Sequence, residues 1–223
     1  MQLKGKQRLL LVGAAILAVI LVFTFISSRS SNVQHVALTP STAAAPVAAV
    51  TATAAEFKTI GSWGLVANDF PAGTVALDAR SLPLITAARD DPALEKMLAA
   101  EGFTGAYEQQ WQQTTAQFQF ADEIDLYTAP NQAKARLLAK PPIDPSSALQ
   151  ELPDPKLGDA SRMYRVTTSP TSGQQQAAEV VEWTRGRALL LVSGASPPGA
   201  LQGDQNLALA KLMDKRAAAA PVR

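Results

Sequence analysis

The sequence predicts an α+β domain, an antiparallel sheet of five or six strands with helices packed mainly on one face, preceded by one transmembrane helix. Three observations predict it. Leu9 to Ile26 is an uncharged apolar run, LLLVGAAILAVILVFTFI. After Gly102 the apolar spacing switches from helical to period two. The remaining segments then read, in order, as helices, two strands, a helix, three strands and a helix.

The apolar run holds 18 residues, and at about 1.5 Å per residue it spans roughly 27 Å, close to a hydrocarbon core of about 30 Å. Lipid offers backbone groups no partner, so such a segment has to be helical. Lys4, Lys6 and Arg8 precede it and only Arg29 follows closely. That asymmetry orients residues 1–8 as a cytoplasmic stub and the rest outside the cytoplasm. A cleaved signal peptide would have a shorter apolar region and a small-x-small site, and Ser28-Arg29-Ser30 matches such a site poorly. Residues 27–56 are rich in Ala, Ser, Thr, Pro and Val, with no apolar periodicity to offset the entropy of ordering. They read as a flexible tether, residues 57–216 as the domain, and residues 217–223 as a disordered tail.

Within the domain, Phe57 to Val75 is broken by Gly61, Gly64, Pro71 and Gly73 into turns. Ser81 to Arg89 is a candidate helix. Asp91-Pro92 is an N-cap followed by Pro at the first helical position, and Gly102 closes that helix. Phe103, Gly105, Tyr107, Gln109 and Trp111 alternate onto one face of a strand, and Phe118, Phe120, Asp122, Ile124 and Leu126 do so in the next. Pro130 to Lys140 is helical and is stopped by Pro141. Strands follow at Arg162 to Thr168, Gln176 to Thr184 and Ala188 to Ser193, with a tight turn at Arg185-Gly186-Arg187. Asp204 starts a last helix carrying Lys211, Lys215 and Arg216 toward its end, where the helix dipole favours cations.

Composition excludes several chemistries. Of 20 basic residues only Lys4, Lys6, Arg8 and Arg29 precede Phe57, and of 19 acidic residues only Glu56 does. Residues 57–223 therefore hold 16 basic and 18 acidic residues and give no reason to expect nucleic acid as a partner. There is no cysteine, so thiolate metal sites and cysteine nucleophiles are absent. The one histidine, His35, lies in the tether, away from any site a triad would need. No lysine has Ser or Thr three residues before it, and there is no G-x-S-x-G elbow or P-loop. Gly61-Ser62-Trp63-Gly64 reads as a turn. No cofactor and no metal is expected.

The residues left to consider are carboxylates, arginines and aromatics. Asp122, Glu123 and Asp125 read as a solvated sheet edge, Asp90-Asp91 as a helix cap, and Asp159 as a turn residue. Arg185 and Arg187, flanking the turn glycine, are candidates for an anion-binding spot. Tyr107, Trp111, Phe118, Phe120, Tyr164 and Trp183 all fall on strands, as a filled core or as the lining of a pocket for an apolar ligand.

Gly158-Asp159, then Val181-Glu182-Trp183-Thr184-Arg185-Gly186-Arg187, then Leu209-Ala210 and Arg216, resemble a pattern found in uncharacterised bacterial membrane-anchored extracytoplasmic domains. The similarity spans about 60 residues, rests on turn and cap positions, and implies no catalytic residue. The reading that results is a non-enzymatic extracytoplasmic module of the cell envelope. It is anchored in the bilayer through Leu9 to Ile26 and binds a partner protein or envelope component. An apolar small-molecule or lipid-binding protein and a carboxylate-dependent envelope enzyme are the alternatives.

Overall fold

The computed structural model describes residues 50–88, 91–113, 118–139, 141, 147–168, 176–196 and 203–222. The predicted membrane span, most of the tether with His35, and Asp90 lie outside the described residues. Among the described residues no helix is long and apolar enough to cross a membrane.

The elements run α1 (Ala54–Gly61), a 3-10 turn (Ala67–Asp69), β1 (Thr74–Pro83), α2 (Leu84–Ala87), α3 (Pro92–Ala100), β2 (Phe103–Gln113), β3 (Phe118–Tyr127), α4 (Pro130–Leu138), β4 (Ala148–Leu152), β5 (Ala160–Thr168), β6 (Gln176–Arg185), β7 (Ala188–Ser196) and α5 (Gly203–Ala219). The strands form one seven-stranded antiparallel sheet in the order β1-β2-β3-β7-β6-β5-β4. Two meanders, β1 to β3 and β4 to β7, thus join along β3 and β7. The α+β class and the antiparallel sheet stand as expected, while the strand number is seven rather than five or six.

The strands the sequence does not announce, β1 and β4, are the two edges. Nearly all of β1 is exposed on both sides, as is most of the five-residue β4. A strand with neither face buried has no inward set of residues, so it leaves no period-two signature. In place of the helix expected over Ser81 to Arg89, β1 runs on to Pro83 and only Leu84–Ala87 is helical. The expected helix starting at Asp91 is present as α3, with the Asp91 carboxylate accepting from Ala93 N at 2.8 Å and Leu94 N at 3.3 Å.

The helices divide between both faces of the sheet, not mainly one. Ile60 of α1 and Leu209, Ala210 and Met213 of α5 cover a first face built from Trp111, Phe120, Ile124, Val181, Trp183 and Leu190. Leu84, Leu98, Ala133 and Leu137, from α2, α3 and α4, cover a second face built from Phe103, Ala106, Tyr127 and Leu189. A smaller cluster of Tyr164, Val166, Val180 and Leu191 continues that second face. Two layers of helix were hidden in the sequence because β3, β6 and β7 are buried on both sides, where alternation cannot tell which face meets a helix.

Both ends of the domain extend further than composition suggests. Thr53 and Glu56 form a reciprocal capping box: Thr53 N donates to Glu56 Oε2 at 2.6 Å, and Glu56 N donates to Thr53 Oγ1 at 3.2 Å. Ala52 is buried, and its N–H donates to Thr104 O at 2.9 Å. The folded part therefore begins before Phe57. At the other end α5 runs to Ala219, Ala217 is fully buried, and Val222 packs against the core, so residues 217–222 are not a disordered tail.

Candidate functional site

Asp122 is a carboxylate that departs from ordinary behaviour. It sits in the middle of β3, in phase with Phe118, Phe120, Ile124 and Leu126, and therefore points into the first face beneath the chain segment that follows α1. Its residue exposure is 1 %. One carboxylate oxygen accepts from Trp111 Nε1 at 2.9 Å and the other from Leu65 N at 3.2 Å. Burial pushes its pKa up to about 7, against the hydrogen bonds from Trp111 and Leu65, which favour the charged form.

The segment over Asp122 is shaped by its glycines. Gly61 and Gly64 lie against the ring of Tyr107, and a Cβ on Gly64 would sit 2.8 Å from Tyr107 Cε1 and 3.2 Å from Asp122 Oδ2. Gly61 closes α1, so the expected turn is Ser62-Trp63-Gly64, and the small residues let it close over a tyrosine and a carboxylate. Burial, and then the nearby Asp122 charge, raise the pKa of the Tyr107 phenol. Its hydroxyl donates to Gln109 Oε1 at 3.1 Å.

The same segment is held from the other side by α5. Arg216 donates through Nη1 to Gly64 O and Asp69 Oδ2, and through Nη2 to Asp69 Oδ1, all at 2.8 Å. Asp69 Oδ2 also accepts from Val66 N at 2.8 Å. Trp63 Nε1 donates to Ala220 O at 3.0 Å. Asp69 and Arg216 were not singled out as a pair because 147 residues separate them. For Asp122 a signal was present: an acid in phase with an apolar strand face is an inward acid. Glu123 and Asp125 point to the second face and are also buried, each 7 % exposed. None of the three forms the solvated edge expected, because β3 is an interior strand paired on both sides.

The aromatic candidates do not share one face. Tyr107, Trp111, Phe118, Phe120 and Trp183 belong to the first face, and Tyr164 to the second. Phe103 also departs from the predicted alternation, because a bulge between Phe103 and Gly105 turns it to the second face against Tyr127. On the first face Phe70 fills the space over the rings, with centroids 4.6 Å from Trp111 and 5.4 Å from Phe120, while Phe118 lies 6.2 Å from Phe120. Tyr164 donates its hydroxyl to Glu182 Oε1 at 2.8 Å, and Arg162 donates from Nε to Glu182 Oε2 at 2.6 Å. Trp183 is fully buried, and its Nε1 has no hydrogen-bond partner among the described residues.

Arg185 and Arg187 are both engaged by carboxylates of the fold. Arg185 makes a bidentate pair with Asp214 of α5, both bonds 2.8 Å, and the hydrogen bond with Asp214 raises its pKa. Arg187 pairs with Glu56 of α1 and donates to Tyr127 O at 2.8 Å. Burial works against ionisation of Glu56, but hydrogen bonds from Thr53 and the charge of Arg187 hold its pKa low. Between the arginines, Gly186 N donates to Asp159 Oδ2 at 2.6 Å, and Asp159 N donates to Thr184 O at 2.8 Å. Gly158 at φ +53° lets the two turns meet, since a Cβ there would lie 2.1 Å from Thr184 O. The residues Gly158, Asp159, Arg185, Gly186, Arg187 and Arg216 therefore all lock elements together: turn to turn, turn to helix, and helix to the segment over Asp122.

No protein-family model matches the chain, and no curated protein matches it in sequence. Among solved structures the fold is similar to the extracellular domain of PknH from Mycobacterium tuberculosis. The TM-score is 0.47 at 8 % identity, covering 78 % of this chain and 98 % of that one.

Proposed function

We propose that this chain is a single-pass membrane protein whose N-terminus lies in the cytoplasm and whose domain lies outside it. There the domain serves as a non-enzymatic module that binds a partner protein or an envelope component. The observation that carries the reading is the order of segments. A basic stub and an 18-residue uncharged run are followed by a polar, small-residue stretch, and the first element among the described residues is α1 with its Thr53 cap. If the stretch from Ser27 to Thr51 is the flexible tether its composition suggests, its end-to-end distance would be roughly 25–30 Å, enough to let a domain search the surface beside the bilayer.

Two further observations support binding through the surface. Asp122, whose pKa burial raises, is covered by the segment after α1, and both its oxygens accept from the fold, from Trp111 Nε1 and Leu65 N. The aromatic face is filled by Phe70, Trp63 and the α5 side chains, as a core is. Native mass spectrometry of residues 50–223 tests the reading. An apo mass is expected. A lipid or other small molecule that survives purification in stoichiometric amount would overturn it in favour of an apolar-ligand carrier.

A further inference from the structure

Four elements meet at Asp122: the strands β2 and β3, the segment 62–70, and the C-terminal helix α5. Both carboxylate oxygens are committed, one to a strand side chain, Trp111 Nε1, and one to the backbone of the segment, Leu65 N. The charged and titratable groups facing it are the Tyr107 phenol from β2, Asp69 from the 3-10 turn and Arg216 from α5, while β7 presents Val192 as its cross-strand partner. Arg216, the one cation of this set, is already bidentate to Asp69. An ionised Asp122 therefore has two N–H donors but no counterion of its own.

We propose that segment 62–70, pinned between Asp122 and α5, is a proton-tightened clasp that holds firmly while Asp122 is protonated and opens more often once it is ionised. The physical reason is hydration. Lifting the segment removes the cover from Asp122 and lets water reach a carboxylate that the closed form keeps dry. Opening then releases a proton wherever the closed form binds it and the open form does not. With the closed form titrating at about 7 and a hydrated Asp near 4, that window runs from about pH 4 to about pH 7. The segment follows α1 directly, so it is the first part of the domain after the tether apart from that helix. Its opening bares Trp111 and Phe120, which Phe70 otherwise covers.

The test is hydrogen exchange on the full-length protein in detergent micelles, read by mass spectrometry on peptides spanning residues 60–72 and corrected for intrinsic base catalysis. Between pH 5.5 and 8.5 the opening equilibrium of this segment should rise about 30-fold, following the two titration midpoints. Peptides from β5 and β6, where exchange needs global unfolding that also hydrates Asp122, should rise by no more than the same factor and stay much better protected at every pH. In Asp122→Asn the rise over 60–72 should vanish. A flat wild-type profile, protection over 60–72 as high as in β5 and β6, or an undiminished rise in the variant would each overturn the proposal. Carboxyl titration of Asp122 by carbon NMR in the wild type does not depend on how the variant folds. A midpoint near neutrality is expected, and one below about 5 would sink the clasp.

Discussion

Trp111 and Trp183 offer a matched comparison, because both are buried indoles on the first face and only one uses its N–H. Trp111 Nε1 donates to Asp122 at 2.9 Å, whereas Trp183 Nε1 has no partner among the described residues. Replacing each by phenylalanine removes the same atoms. At Trp111 the change also deletes a charge-assisted hydrogen bond, a loss of about 1.5–3 kcal/mol, and leaves a buried carboxylate with one donor. At Trp183 it removes an unsatisfied buried donor whose desolvation costs about 1–3 kcal/mol, so part of the lost packing is offset. At pH 8 Trp111→Phe should therefore destabilise residues 50–223 by about 2–4 kcal/mol more than Trp183→Phe. The gap should narrow below pH 5, where Asp122 is neutral. Guanidinium unfolding followed by circular dichroism measures both, free of the altered fluorescence. Equal costs, or a larger cost at Trp183, would refute the assignment of the indole hydrogen bond as the difference between the two sites.

Two further expectations concern the ends and turns of the domain. A fragment starting at Phe57 loses the capping box, the Ala52 to Thr104 hydrogen bond and the Glu56 partner of Arg187, and should be about 1–3 kcal/mol less stable than one starting at residue 50, measured by urea unfolding. Gly158→Ala should cost at least about 2 kcal/mol, since it combines left-handed backbone with a clash against Thr184 O, while Gly186→Ala, at φ +56° with open space around it, should cost only about 1 kcal/mol. Thermal melts of the two alanine variants separate backbone strain from collision, and equal shifts would show that the Gly158 contact relaxes freely.

Burial also sets a pH dependence for the fold. Asp122 is raised from an ordinary carboxylate value to about 7, so the folded state binds its proton more tightly than the unfolded chain. That stabilisation is complete below about pH 4, falls as pH rises toward 7, and is constant above it, with a total of about 4 kcal/mol.

The interior of the sheet was legible in the sequence, and its edges and faces were not. β2 and β3 follow from Tyr107 to Trp111 and Phe118 to Leu126, and α3 from Asp91-Pro92, because each rests on a local rule of period or capping. β1 escapes because Val75 and Leu77 are exposed and its charges, Asp78 and Arg80, sit on the strand itself. α1 escapes because Thr53 and Glu56 lie at the end of an Ala- and Thr-rich stretch whose composition reads as tether. The site around Asp122 depends on contacts between distant parts of the chain. Gly64 with Arg216, and Trp63 with Ala220, are each separated by more than 150 residues, and no local pattern brings them together.

The most direct test of the account is the topology of the chain in the membrane. Protease added outside intact spheroplasts is expected to digest the domain from residue 50 onward and to leave a tag on the N-terminal stub protected, as the charge asymmetry of Lys4, Lys6 and Arg8 before the apolar run predicts. Digestion of the domain only after the membrane is permeabilised would contradict the placement and with it the proposed function.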